Sequence, residues 1–258
     1  MKVEKLERIR YGYKLTIDGK ITPLEEETVV VFKLRKDTEI DEKTWRKILE
    51  ADAIHVQKRK AIVQLKKPQS VHEFKTYLRG LGVDEQNIET WTNTYKKLGY
   101  LDDFEYGKLL VEGYQSKYGA KKIESLLKNK GLHPETIERL LPKNDDVLKK
   151  LVQKSCKSVQ KSTYIQAKNA IIRQWMAKGF DYETIQTYVD MYLDPKRFNE
   201  DDNIVKEYKK LRTKYERTYQ GYKLKQKITQ ALRQKGFTGQ KIEQICLEME
   251  NDYVQDFE

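Results

Sequence analysis

Few residues in this chain have the types and spacing that catalysis requires. The three histidines, His55, His72 and His133, stand in different contexts, and none lies beside a cysteine. Cys156 and Cys246 are 90 positions apart with no Cys-x-x-Cys pair, so neither a zinc site nor a redox motif is spelled out. Free thiols in a reducing compartment fit that pattern. No His-Glu-x-x-His, Gly-x-Ser-x-Gly or Walker loop occurs. Gly80-Leu81-Gly82 looks like a phosphate loop, but no Lys-Ser/Thr follows it and a helix C-cap explains it better. Asp102-Asp103 would suit a metal-dependent nuclease only with further ligands that are missing. Adjacent carboxylates at a helix start read more simply as partners of the N-terminal dipole. Glu25-Glu26-Glu27 reads as a solvated loop between strands. The expectation is a protein that is not an enzyme and carries no metal and no cofactor.

Binding chemistry is better supported. The formal net charge of +11 is concentrated in two blocks. Residues 121–180 hold 14 basic and 5 acidic groups, and residues 203–241 hold 12 Lys/Arg against Glu207 and Glu216. Such blocks suit a polyanion, because neutralised phosphates release condensed counterions. The plainer alternative is Lys-rich helix faces that keep the protein in solution. Several of the 17 tyrosines lie near basic residues: Tyr114, Tyr118, Tyr164, Tyr208, Tyr215, Tyr219 and Tyr222. They could stack on unpaired bases, but filling half-dry seams between helices is the preferred reading. Residues 242–258 carry acids alone, and this tip (Glu248, Glu250, Asp252, Asp256, Glu258) pairs with a basic patch, folds back or frays.

These residues must be positioned by two kinds of element. Tyr11, Tyr13, Leu15 and Ile17 alternate with Gly12, Lys14 and Thr16, and Asp18-Gly19 is a hairpin turn signal. With the β-branched run Thr28 to Leu34, this predicts a three-stranded meander. A helix carrying Trp45, Ile48 and Leu49 starts at Asp41-Glu42-Lys43. The chain is helical from there, and a period appears around Gly82, Gly131, Gly179 and Gly236, spaced 49, 48 and 57 residues apart. Eight residues before each stand Phe74, Ile123, Ile171 and Ile228. Four before stand Leu78, Leu127, Trp175 and Leu232. Val83, Leu132, Phe180 and Phe237 follow directly, and Ile88, Ile137, Ile185 and Ile242 come six after.

The physics of the unit is legible. The apolar pair before the glycine lines one stripe of a helix. The glycine takes the left-handed conformation that closes that helix, and the next residue folds back onto it. Asp84, His133, Asp181 and Thr238 follow two residues after the glycines, and three of these four are N-cap formers. Pro134 suits the first position of its helix. A third helix fills the rest of each period, for instance Asp103–Gln115 and Asn203–Tyr219. Units of this kind cannot bury their faces alone and stack.

The predicted fold class is mainly α: tandem three-helix repeats in an elongated, curved array, with a small N-terminal β-rich, three-stranded domain. The expected segments are a head with connecting helix at 1–50 and repeats at 51–115, 116–160 and 161–220. A partial fourth repeat at 221–258 carries the acidic tip. Met1-Lys2-Val3-Glu4 opens no signal-type apolar stretch, and Val29-Val30-Val31-Phe32 is too short to span a bilayer. A cytoplasmic monomer without a membrane partner is expected.

The segments Leu98-Gly99-Tyr100-Leu101-Asp102-Asp103-Phe104, Lys117-Tyr118-Gly119-Ala120-Lys121-Lys122-Ile123 and Leu127-Lys128-Asn129-Lys130-Gly131-Leu132 resemble the core signature of the RecX family. The likeness is specific across 95–140, recurs more weakly at 168–190 and 222–245, and extends in layout to the longer Gram-positive forms. One departure is that Gly221 lies seven residues before Ile228, whereas Gly119 lies four before Ile123. The resemblance implies a regulator of homologous recombination. It would bind RecA and RecA–single-stranded-DNA filaments, inhibit recombinase activity or promote filament disassembly, and need no cofactor. It would touch DNA directly and non-specifically. A stand-alone DNA-binding helical-repeat protein is the alternative. Carried over as RecA or DNA contacts are the basic positions of the matching segments, Lys121, Lys122, Lys128 and Lys130, with the related Lys178, Lys227, Arg233 and Lys235.

Overall fold

The computed structural model describes residues 1–143 and 145–255, the last six in backbone only. The chain is mainly α with a small three-stranded antiparallel sheet at the N-terminus. It divides into two compact units, Met1–Leu110 with Leu126–Leu140, and Val111–Ser125 with Leu141–Glu258.

In the first unit, β1 (Val3–Ile9), β2 (Gly12–Ile17) and β3 (Lys20–Leu24) form a meander in that order. Asp18 and Gly19 both take positive φ, 48° and 74°, as the predicted two-residue turn requires. Leu6 pairs with Leu15, and Leu15 with Thr22. Alternation turns Leu15 and Ile17 inward with Val3 and Leu24, where Val29, Leu34, Ile40 and Ile48 complete a small core.

Two expectations for the head are corrected. The run Thr28 to Leu34 is not the third strand, which is β3; it lies largely in a short helix, α1 (Glu26–Val31). Nor is Glu25-Glu26-Glu27 a solvated loop between strands. Glu26 and Glu27 form the acidic first turn of α1, where carboxylates complement the dipole. Glu25 pairs with Arg59 at 2.9 Å and Glu27 with Lys58 at 3.0 Å. Thr28, fully buried, donates its hydroxyl to Asp52 at 2.6 Å and lies 2.7 Å from His55 Nδ1. These tertiary contacts outweigh the β preference of the valines. The two partners belong to α2 (Glu42–Gln64), which starts where predicted, with Asp41 accepting from the Thr44 amide at 2.6 Å.

The helices that follow are α3 (Val71–Gly80), α4 (Glu85–Lys97), α5 (Asp103–Tyr114), α6 (Ala120–Asn129), α7 (Pro134–Leu140), α8 (Asp145–Ser158) and α9 (Tyr164–Met176). After α10 (Tyr182–Tyr192) and a 3-10 turn come α11 (Glu200–Tyr215), α12 (Gly221–Gln234) and α13 (Gly239–Gln255). The period holds at every predicted position. All apolar residues at −8, −4, +1 and +6 from the four glycines are buried. The glycines have φ of 73°, 76°, 85° and 83°. Each corner closes with the same pair of bonds: Gly82 N donates to Arg79 O at 2.9 Å and Val83 N to Leu78 O at 3.2 Å. The equivalent bonds recur at 131–132, 179–180 and 236–237.

A helix ahead of the corner pair completes each of the two later cores. Leu148, Val152 and Cys156 of α8 join Ile171, Trp175, Phe180 and Ile185, and Ile204, Tyr208 and Leu211 of α11 join Ile228, Leu232, Phe237 and Ile242. The acidic tip beyond Met249 lies outside the residues described with side chains.

Candidate protein and nucleic-acid interface

The glycine corners do more than end helices. Ser70, the N-cap of α3, donates its hydroxyl to the carbonyl of Lys130 at 2.5 Å, and Gly131 sits on the side chain of His72. Ahead of α6, the Gly119 amide donates to Lys178 O at 2.9 Å and the Lys121 amide to Gly179 O at 3.2 Å, with Gly179 against Lys122. Thr163, the N-cap of α9, donates to Lys235 O at 2.7 Å, and Gly236 lies against Thr163 and Ile165. Each joint therefore sets helix-end carbonyls on the donor-rich start of another helix, so both sets of orphan groups find partners. A Cβ at Gly131, Gly179 or Gly236 would collide with the facing helix start, whereas at Gly82 it would meet only Gln57 at 4.0 Å. Gln57 donates there to Leu81 O at 3.1 Å.

Three predicted contact residues stand at these joints. Lys130 reaches Glu73 at 2.7 Å and Lys235 reaches Glu207 at 3.2 Å. The Lys178 ammonium lies 5.2 Å from the centre of the Tyr118 ring. The hydrogen bond to Glu73 raises the Lys130 pKa. Burial pushes the Glu73 carboxyl up, but Lys130, the Ser70 amide and Tyr106 outweigh it and hold the group below its ordinary value. Glu207 behaves alike, with burial opposed by Ser162 and Lys235.

The other predicted residues are exposed. Lys121 pairs loosely with Asp181 at 3.5 Å, both well solvated, a contact worth little in water. Lys122 and Lys227 occupy the ninth position before a corner glycine, and Lys128 and Arg233 the third. The structure thus repeats one pair of basic positions on α6 and α12. Lys227 also lies 5.6 Å from the Tyr219 ring centre.

Most of the tyrosines flagged in the sequence pack against one another or into cores. Tyr114 with Tyr118, and Tyr215 with Tyr219, meet edge to face at 6.1 and 6.3 Å. Tyr208 is buried, while Tyr222 is 79% exposed. Asp102 accepts from the Phe104 and Glu105 amides at 2.8 and 3.1 Å, and Asp103 from the Val71 amide at 2.8 Å, so both carboxylates serve helix starts. Among the described residues, no group of three His, Cys, Asp or Glu could hold a metal ion, and no helix is long and apolar enough to cross a membrane.

Sequence reasoning missed the joint donors. Ser70 carried one legible signal, the Ser-x-x-Glu capping box it forms with Glu73, but nothing in that motif points to a carbonyl 60 positions away.

Comparison with known proteins gives a consistent result. A family model described as RecX, third three-helix domain, matches residues 199–246, the stretch of α11 to α13. The chain is similar to Regulatory protein RecX of Streptococcus sanguinis (strain SK36), 28% identical over 245 residues, covering 92% of this chain and 95% of that protein. It is 29% identical over 254 residues to Regulatory protein RecX of Lactococcus lactis subsp. lactis (strain IL1403), covering 92% and 94%. A crystal structure of regulatory protein RecX superimposes with a TM-score of 0.56 at 21% identity, covering 74% of this chain and all of that one.

Proposed function

This chain belongs to the RecX family, a family of regulatory proteins, and from that premise we propose that it regulates homologous recombination by binding RecA and RecA–single-stranded-DNA filaments and inhibiting recombinase activity. The observation that carries the reading is the pair of register-equivalent basic positions. Lys122 with Lys128 on α6, and Lys227 with Arg233 on α12, present the same charges at the same places of two repeats. A regularly repeating nucleoprotein spiral is the kind of partner to which repeated charges would be matched. Lys121 extends the set, whereas Lys130, Lys178 and Lys235 act chiefly through the joints that hold these helices. The protein acts by binding and uses no catalytic residue.

The test is co-sedimentation with RecA on single-stranded DNA, with strand exchange and ATPase followed at substoichiometric protein. Association and suppressed strand exchange are expected. A titration that leaves both RecA activities untouched defeats the reading.

A second reading, a stand-alone DNA-binding protein, is favoured by the basic block of residues 203–241. Glu substitutions at Lys122, Lys128, Lys227 and Arg233 separate the two, and they spare the lysines paired with Glu73 and Glu207. Loss of bare-DNA binding with filament inhibition retained makes protein contact the main source of affinity.

A further inference from the structure

The start of α12 differs from the helix starts that carry joints. Two places past the N-cap of α3 and α9, His72 and Ile165 lie against the glycine of another corner. In α12 that residue is Tyr222, which is 79% exposed and, among the described residues, has no ring, cation or hydrogen-bond partner. A Cβ built at the neighbouring Gly221 meets nothing within 4 Å. Beside it lies a groove of about 260 Å³ whose lining includes Arg212, Lys225, Tyr222 and Leu224.

The flanking sequence is strongly basic, although Glu243 of α13 lines a neighbouring groove with Lys225. Residues 209–227 contain eight Lys/Arg and a single acid, Glu216, which Arg212 meets at 3.9 Å. Tyr215 and Tyr219 of the same stretch are committed to packing: they meet edge to face, with Lys214 5.2 Å from the first ring centre and Lys227 5.6 Å from the second. Tyr222 has no such commitment. A bare ring among cations matches a ligand that offers both a flat π face and closely spaced anions, which is the chemistry of unpaired nucleotides. A duplex supplies the anions but keeps its base faces stacked. An acidic protein loop satisfies the cations and leaves the ring unmatched.

We propose that the α11–α12 corner is a site for single-stranded DNA, with Tyr222 stacking on an unpaired base and Lys223, Lys225 and Arg212 taking the adjoining phosphates. The choice of DNA rests on the proposed function above.

The experiment is fluorescence anisotropy of the full chain, without RecA, on labelled oligo(dT) and on a duplex of equal length. Tyr222→Ala should weaken single-strand binding about tenfold, the effect of losing one stacked base, and leave duplex binding unchanged. Tyr222→Trp should restore it. Lys223→Gln with Lys225→Gln should flatten the salt dependence by about 0.7 in log–log slope for each phosphate no longer neutralised. No binding to oligo(dT), an unaffected Tyr222→Ala, or equal losses on single strand and duplex would overturn the site. So would a Tyr222→Ala variant that binds oligo(dT) normally but no longer inhibits RecA, because the ring would then meet protein. Tyr222-dependent binding by a chain that leaves strand exchange untouched upholds the site and defeats the proposed function, so the two fail separately.

Discussion

The Thr163 hydroxyl donates to the Lys235 carbonyl at 2.7 Å across 72 positions of sequence, while also accepting from the Gln166 amide at 3.1 Å. One side chain thus caps its own helix and seats another corner. Ser70 does the same toward Glu73 and Lys130, which makes the hydroxyl N-cap a structural fastener in two of the three joints.

Thr163→Ala is expected to destabilise the second unit by about 1–3 kcal/mol, combining a lost cap with a part-buried carbonyl left short of a donor. Thr163→Ser should recover most of that. Urea unfolding of the three proteins, followed by far-UV circular dichroism, measures the difference. Equal midpoints for the alanine variant and the parent would refute the fastener role.

The corner glycines separate two physical demands. Every one needs positive φ, but only three also face a helix start that leaves no room for a Cβ. Gly82→Ala should therefore cost about 1 kcal/mol, the backbone effect alone. Gly179→Ala should cost clearly more, since the added methyl meets the Lys122 backbone. Thermal melts that rank the two variants equally would remove the steric half of the argument.

The Glu73–Lys130 pair predicts a pH response in both directions. The Glu73 carboxyl is held below its ordinary value, so its contribution is present above that value and disappears as pH falls through the depressed one, below about pH 4. The Lys130 pKa is raised, so its contribution is present below the ordinary lysine value and disappears as pH climbs through the raised one, above about pH 10. Glu73→Gln should flatten the acid limb of stability against pH, read as urea midpoints. An unchanged acid limb would show that the pair is too well solvated to matter.

Much of this architecture is readable from the residues alone, where local and tertiary demands agree. The glycines, their flanking apolar residues and Asp84 or Asp181 as N-caps all mark one corner, because the same short segment both turns the chain and fills the core. Asp41 announces α2 for similar reasons. Thr28 to Leu34 misleads because three valines and a threonine favour a strand, while the contacts that hold α1, to Asp52 and His55, lie 24 and 27 positions away. The candidate site is less legible. Lys130 and Lys235 look like ordinary surface charge until Glu73 and Glu207 come beside them, and no local pattern encodes such pairs. Tyr222 resembles Tyr215 and Tyr219 in sequence, and only burial and ring contacts tell them apart.

What each corner hands over is a main-chain oxygen, supplied in turn by Leu81, Lys130, Lys178 and Lys235. The hydrogen-bonded part of the coupling is therefore indifferent to the side chain at that place, while Lys130 and Lys235 add ion pairs to Glu73 and Glu207. Descendants of such a protein are at liberty to repaint its exterior, trading lysines for other groups and so changing what it grips, while the frame beneath keeps its dimensions.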